Sequence, residues 1–331
     1  MSNSVFSLRL LPDNVRLHVI KSFEYPELIA FSLISTKAKS LVKSFKMKIK
    51  ALWVVVEEDS LNIGLDYYSP WTDTQFKIYY DKGNNNEALI SLDEIPSNIE
   101  TSSWVREYKN YTYSTWKNPG LSCNKWFQHI CCLFKSEKSR ISFGVDQEVF
   151  DTVAIWNLLP EWTTINIDDA SIDYAQKIFD LFSTCTKNFD LRREDNISKF
   201  PQKVGIQNFD FLNFPQRCTL DDLLVLNAIE IVMYKLCFSD VNRFLKSWIH
   251  GSNPRLRHAS LYLENEEYED IESKERKVLK GIQYQEMPDD LERKMKNDTI
   301  RGGIDIQNKK GISATIIVKE GRTSTDVEFY V

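Results

Sequence analysis

The first fifty residues limit the fold most tightly, because proline and serine divide one largely apolar stretch into three short helices. Pro12 suits the first turn of a helix, where its missing N–H costs no hydrogen bond. Behind it, Val15, Val19, Ile20 and Phe23 form one apolar stripe at helical spacing. The segment therefore starts with an amphipathic helix that must pack against something else.

Two further helices follow this first helix. The second begins near Pro26 and is apolar on most of its surface, so it must be buried on several sides. The third follows Ser35 and Thr36, whose side chains can cap a helix. Three such helices in about 45 residues bury too little surface to be stable alone. The segment needs the rest of the chain, a partner, or both.

The order of these features resembles the F-box family. Leu11-Pro12, Val15, Pro26-Glu27-Leu28 and Phe31-Ser32-Leu33-Ile34-Ser35 supply the family's features in sequence, whereas Ala38 stands where many F-boxes carry Trp. The resemblance implies docking onto a Skp-type adaptor and, through it, a cullin within a ubiquitin ligase. The alternative is an ordinary helical hairpin that caps a larger domain. The residues expected to form or support the adaptor contact are Leu11, Pro12, Val15, Leu28, Leu33 and Ile34.

Length and composition indicate more than one domain and exclude several kinds of partner. At 331 residues the chain exceeds one typical domain. A net charge of −5 argues against nucleic acid as a partner. No run of uncharged apolar residues is long enough to span a membrane, and no secretory signal precedes the helices. We therefore expect reduced cysteines and a cytoplasmic or nuclear location.

Beyond the helices the pattern changes to strands, which makes the expected fold class α/β. Residues 52–56 and 61–67 predict a hairpin, and strand–helix units recur from residue 163 onward. The strand spacing is typical of the leucine-rich-repeat class, although no leucine consensus is present. The predicted fold is a three-helix F-box, then a leucine-rich-repeat-like strand–helix domain with a C-terminal β-hairpin. The expected divisions are 5–50 (F-box), 51–155 (mainly β with loops) and 156–331 (α/β).

Parts of this last region resemble the F-box-associated domain of type 2. The similar segments are Asp222–Asn227, Asn242–Ile249, Gly251–Pro254 and Gly303–Ile306, and the likeness covers roughly residues 160–320. The family follows an F-box in many presumed substrate receptors. Membership implies capture of a protein target without identifying that target.

Candidate chemical sites have simpler structural explanations. Cys123, His129, Cys131 and Cys132 lie near one another, but adjacent cysteines do not present two sulfurs as a C-x₂₋₄-C pair does. No phosphate-binding or dinucleotide-binding glycine motif is present. The acidic run from Glu264 to Asp270 is typical of a solvated loop, with a contact for a basic partner as the alternative. We expect no enzyme, metal or cofactor.

The period-two rule divides the predicted strands into a helix-facing side and an open side. Tyr234 and Tyr262, flanked by Glu230 and Glu264, fall on the open side and are predicted to bind a basic or amphipathic target. The competing prediction is that this strip is covered and serves only as core. Three functions remain open: a substrate receptor of a ubiquitin ligase, an adaptor-bound structural or regulatory protein that delivers no substrate, and an enzyme with an unrecognised site.

Overall fold

A computed structural model describes residues 10–68, 72–80, 89–105, 110–159, 161–192, 208–217, 219–264, 270–295, 299–321 and 324–331. The chain forms two compact units. The first comprises Met1–Ser139 and Val149–Leu158, and the second comprises Arg140–Glu148 and Leu159–Val331. Within the described ranges, no helix has the length and apolar character needed to cross a membrane.

The first unit holds the N-terminal helices and an antiparallel sheet. Its elements are α1 (Asp13–Lys21), α2 (Tyr25–Leu33), α3 (Thr36–Ser44), β1 (Met47–Val56), β2 (Ser60–Asp66), β3 (Thr72–Tyr79), β4 (Asn98–Val105), β5 (Asn110–Trp116), α4 (Cys123–Leu133), the first part of β6 (Phe134–Phe143) and α5 (Thr152–Trp156). Strands β1 to β5 follow one another as antiparallel neighbours, and β6 lies on the other side of β1. The three predicted N-terminal helices and the hairpin of β1 and β2 are confirmed.

The helix boundaries follow the capping chemistry expected from the sequence. The Ser35 hydroxyl accepts a hydrogen bond from the Ala38 N–H and so begins α3. Glu24 and Glu27 form a reciprocal capping box at the start of α2, with a proline in its first turn. These local bonds fix where each helix starts, and therefore which side chains reach the core.

The second unit is a parallel sheet extended by antiparallel strands. Its elements are the last part of β6, β7 (Thr164–Ile167), α6 (Ile172–Phe182), β8 (Asn188–Leu191), β9 (Asn208–Arg217), α7 (Leu220–Val225), β10 (Asn227–Leu236), α8 (Phe238–Ile249), β11 (His258–Glu264), α9 (Ile271–Leu279), β12 (Gln285–Glu286), β13 (Glu292–Lys294), β14 (Thr299–Arg301), β15 (Ile304–Gln307), β16 (Ser313–Glu320) and β17 (Ser324–Tyr330). Strands β6 to β11 are parallel and neighbour one another in chain order.

This order confirms the α/β class, and it corrects the predicted strands. The sequence pattern of residues 204–211 predicts the next strand after β7. The structure describes this strand as β9 from Asn208 onward, and residues 204–207 lie outside the described ranges. The sequence pattern does not reveal β8, which lies between these two strands and is only four residues long. The finer likeness to leucine-rich repeats stays a prediction, because the described helices between the parallel strands vary from five to 12 residues.

The C-terminal hairpin is present as predicted. Strands β15 and β16 are antiparallel, and Gly311 adopts a positive φ of 80° between them. The predicted final strand is β17, which joins β16 to β11. Strands β13 and β14 form a separate two-stranded hairpin.

The core of the second unit lies between the parallel strands and their helices. Helix α8 buries Val241, Phe244, Leu245 and Trp248, and α6 buries its own apolar stripe. Alternate residues of β7, β10 and β11 are buried, namely Ile165, Ile167, Ile231, Met233, Ala259, Leu261 and Leu263, whereas Ile229 is partly exposed. The residues between them point to the opposite side of the sheet and are mostly polar.

Candidate functional site

The N-terminal helices bury one side within their own unit. Ile20, Leu28, Ile29 and Val42 are each at most 5% exposed. Leu28 was predicted among the residues that form or support an adaptor contact, and at this position it supports the helices from inside rather than presenting a surface. A partner reaches Leu28 only if the helices rearrange.

Aromatic and polar contacts attach helix α2 to the rest of the first unit. The Tyr25 ring stacks on Tyr67 with centroids 3.7 Å apart, and it also meets Phe134 at 5.8 Å. The buried Ser32 hydroxyl donates to the Ile29 carbonyl at 2.6 Å and lies 2.7 Å from Nε2 of His129 on α4. These contacts pack α2 against other parts of the first unit.

The other predicted adaptor residues lie nearer the surface. Ile34 is 71% exposed and Val15 is 40% exposed. Pro12 is exposed, and Leu11 and Leu33 are partly exposed. Leu10, which the sequence reading left out, is 84% exposed. Leu10, Val15 and Ile34 are thus the large apolar side chains that the described part of this segment leaves most exposed.

In the second unit, a row of polar side chains crosses the side of the sheet that was predicted to be open, where Asn166 and Asp190 are each only 9% exposed. Ser142, Asn166, Asp190 and Asn213 are successive partners on β6, β7, β8 and β9. Asn166 donates to the Ser142 hydroxyl at 2.9 Å, and Asn213 donates to Asp190 at 2.7 Å. The amide oxygen of Asn213 is buried without a hydrogen-bond partner among the described residues.

Two carboxylates and one guanidinium meet at the carboxyl ends of β7 and β8. Arg192 donates to Asp190 at 2.9 Å, and its Nε lies 3.7 Å from Oδ1 of Asp168. Burial raises the pKa of Asp168 above its usual value, although Arg192 opposes that shift. Oδ1 of Asp168 is buried and has no hydrogen-bond donor in the described part of the chain. Such an atom is costly unless a ligand or water satisfies it.

The two predicted tyrosines lie together on the same open side. The rings of Tyr234 and Tyr262 stack with centroids 4.5 Å apart, and both are partly exposed. Glu230 is also partly exposed, whereas the side chain of Glu264 lies outside what the structure describes. Burial raises the pKa of Tyr262, and nearby Tyr234 adds to that effect. The structure thus brings three of the four predicted target-binding residues onto one side of the sheet.

A second aromatic pair joins the start of β11 to the end of β17. His258 stacks on Tyr330 at 4.6 Å and bonds to Glu328 through Nε2 at 2.8 Å. Glu328 also accepts from Ser260 at 2.9 Å. Burial alone would raise the pKa of Glu328, but these two hydrogen bonds hold it below its usual value. Glu328 is therefore a carboxylate at neutral pH.

Sequence reasoning missed several of these side chains. His258, Glu328, Tyr330 and Asn213 were not selected, and Asp190 lies on the strand that was not predicted. The sequence feature that could have identified some of them is the alternation within β17, which puts Asp326, Glu328 and Tyr330 on one side of the strand. The antiparallel pairing of β17 with β11, which brings them beside the tyrosines, cannot be read from one segment.

The cysteine and histidine side chains of α4 contribute to packing within the first unit, where Cys123 and His129 are buried. His129 bonds to Ser32, and burial raises the pKa of the Cys123 and Cys131 thiols to about 12. Thiolates are the form that binds zinc or attacks a substrate. Among the described residues, no three His, Cys, Asp or Glu side chains converge as a metal cluster.

Comparisons with known proteins agree with both resemblances. Residues 8–50 match the family model described as "F-box domain", and residues 200–261 match the one described as "F-box associated". The chain is 24% identical over 272 residues to the F-box associated domain-containing protein sdz-33 of Caenorhabditis elegans, which covers 80% of each chain. No solved structure matches. An N-terminal F-box and an F-box-associated segment are thereby confirmed, the latter over a shorter range than predicted.

Proposed function

We propose that this chain is the substrate-receptor subunit of a Skp–cullin–F-box ubiquitin ligase. Its F-box helices dock on a Skp-type adaptor, and the open side of the parallel sheet captures a protein target. The first half of the proposal rests on three exposed apolar side chains of the segment that matches an F-box; together they are called the exposed apolar group and are Leu10, Val15 and Ile34. The role is binding rather than catalysis.

The second half rests on the stacked tyrosines. Tyr234 and Tyr262 present aromatic surface beside carboxylates, and tyrosine is enriched at the centres of protein interfaces. Side chains on a sheet are also held rigidly, which lowers the entropic cost of binding. The F-box-associated segment at residues 200–261 includes β9, β10 and most of β11, and so overlaps this surface.

Adaptor docking is tested by placing charge on the exposed apolar group. Val15→Asp with Ile34→Asp removes two apolar contacts and sets carboxylates against the adaptor. Burying an Ile-sized side chain contributes about 1.5–3 kcal/mol, so co-purification with a Skp-type adaptor should weaken more than about tenfold. Val225→Asp with Ile312→Asp is the matched control, because both residues are exposed in the second unit. Equal adaptor recovery by the two folded variants would refute the assignment.

The alternative function is an adaptor-bound structural or regulatory protein that delivers no substrate. The same docking surface supports it. Proteins captured by the chain should accumulate when the proteasome is inhibited if the receptor function holds. Unchanged levels of every captured protein would favour the alternative.

A further inference from the structure

The carboxyl ends of the parallel strands carry a row of side chains that the proposed function leaves without a defined ligand. This row consists of Asp168, Arg192, Tyr234, Tyr262 and Asp326, and we call it the carboxyl-end row. Tyr262 is the direct partner of Asp326 across β11 and β17. Asp168 and Arg192 directly follow the paired ends of β7 and β8. Ligands of parallel α/β sheets bind outside these strand ends.

We propose that the carboxyl-end row binds an extended, lysine- or arginine-rich segment of the target protein. This inference rests on the proposed function and names the chemistry of its target. The segment crosses the strands, with one cationic side chain at Asp168 and another between the stacked tyrosines and Asp326.

The first observation is the state of Asp168. Its buried Oδ1 has no hydrogen bond within the described residues, and the nearest cation is the Arg192 guanidinium at 3.7 Å. Arg192 already bonds to Asp190, so its position shows that a guanidinium fits between these carboxylates. The Asp168 side chain is 32% exposed, so an incoming ammonium or guanidinium pairs with its exposed oxygen rather than with the buried Oδ1. A negatively charged ligand would instead meet two carboxylates.

The second observation is the charge around the aromatic end. Asp326 and Glu328 lie close enough to Tyr262 to raise its pKa, and Glu328 keeps its charge through His258 and Ser260. Lys319, the partner of Asp326 on β16, opposes part of this charge and also acts on Glu328. Cations also bind the faces of tyrosine rings. Basic side chains complement both ends of the row.

The length of the segment follows from the sheet. From β7 to β17 the row crosses six neighbouring strands, β7, β8, β9, β10, β11 and β17. With neighbours about 4.8 Å apart, the row spans roughly 24 Å, or about eight residues of extended chain. A rigid folded surface would have to match the whole row at once, whereas an extended segment needs only charges at suitable spacing.

The test is peptide binding by the purified full chain. The probes are a fluorescein-labelled peptide of alternating lysine and serine, about ten residues long, and the same peptide with glutamate for lysine. Fluorescence anisotropy should show binding of the lysine peptide alone, weakening as salt rises. Asp168→Asn with Asp326→Asn should reduce affinity roughly tenfold, since it removes two charge-assisted contacts. Tyr262→Leu should reduce it about threefold.

The control variant separates a specific row from general attraction to an acidic protein. Glu272→Gln with Glu292→Gln removes the same charge from exposed positions of the second unit and should change affinity less than about twofold. The inference is overturned if both double variants bind the lysine peptide equally, or if the glutamate peptide binds as well. Adaptor co-purification is measured separately, so loss of the ligase role and loss of this binding site are distinguishable.

Discussion

Lowering the pH should destabilise the first unit through His129. Its Nε2 faces the Ser32 hydroxyl, which already donates its single proton to the Ile29 carbonyl, so the neutral ring donates from Nε2. Burial, together with Lys39, lowers the pKa of His129 to about 4. The unfolded chain, with an ordinary histidine pKa of about 6.5, therefore binds more protons between these two values.

The sign and size of the effect follow from this difference. Stability from neutral His129 is fully present above about pH 6.5 and is lost as the pH falls towards about 4, with no further loss below that value. The difference in pKa corresponds to about 3 kcal/mol in the free energy of unfolding. The protonated ring keeps its Nε2–H bond to Ser32, so the loss comes from burying a positive charge beside Lys39.

The assay compares the wild-type chain with His129→Gln by urea denaturation at several pH values. Glutamine places an amide near the Nε2 position and can keep the bond to Ser32 without titrating. The wild-type protein should lose more stability than the variant between about pH 6.5 and 4, while carboxylates titrate equally in both. Parallel pH curves for the two proteins would refute the reasoning.

Two further substitutions test how particular residues hold the fold. Gly64→Ala should destabilise the first unit by about 1–3 kcal/mol, because its Cβ would lie 1.8 Å from the Trp53 ring. Urea denaturation should show a much smaller loss from Gly64→Ala in a protein that already carries Trp53→Val. Asn253→Ala should lower the free energy of unfolding by about 2–4 kcal/mol, since Asn253 adopts a φ of 49° and donates to the Leu223 and Leu226 carbonyls. Asn253→Gly should restore only the part of this loss that comes from backbone strain. Equal stability of both variants would contradict this account.

The helices and the first hairpin were predictable because their signals are local. Ser35 as an N-cap, the proline in the first turn of α2 and the apolar spacing of α1 each act within a few residues. The structure also shows what two residues do in the segments that resemble the F-box-associated domain. Asn242 donates to the Val278 and Lys280 carbonyls and so joins α8 to α9, while Asn253 fixes the end of α7. These two side chains stabilise the fold, so they indicate the family to which the segment is similar rather than a ligand-binding site.

The remaining features depend on pairing between distant segments. Strand β8 has four residues, Asn188–Leu191, too few to show a periodic pattern. Leu28 could not be separated from Ile34 by sequence, because both are apolar residues of the same helical region, and only packing makes one buried and the other 71% exposed. Glu328 lies near Tyr262 because β17 pairs with β11, and this pairing depends on the whole sheet rather than on one segment.

Attachment of the F-box helices within the first unit explains how apolar side chains stay exposed on so small a module. Three short helices would normally collapse onto every apolar residue available, since a small segment has little core to spare. Here Tyr25 stacks on Tyr67, and Ser32 bonds to His129, which supplies packing from outside the three helices. Ile34 and Val15 stay exposed and so add less buried area to the fold than Leu28 does. A surface that the fold does not need for its own stability can be kept for a partner, and this division separates Leu28, which holds the helices together, from Ile34, which is proposed to meet the adaptor.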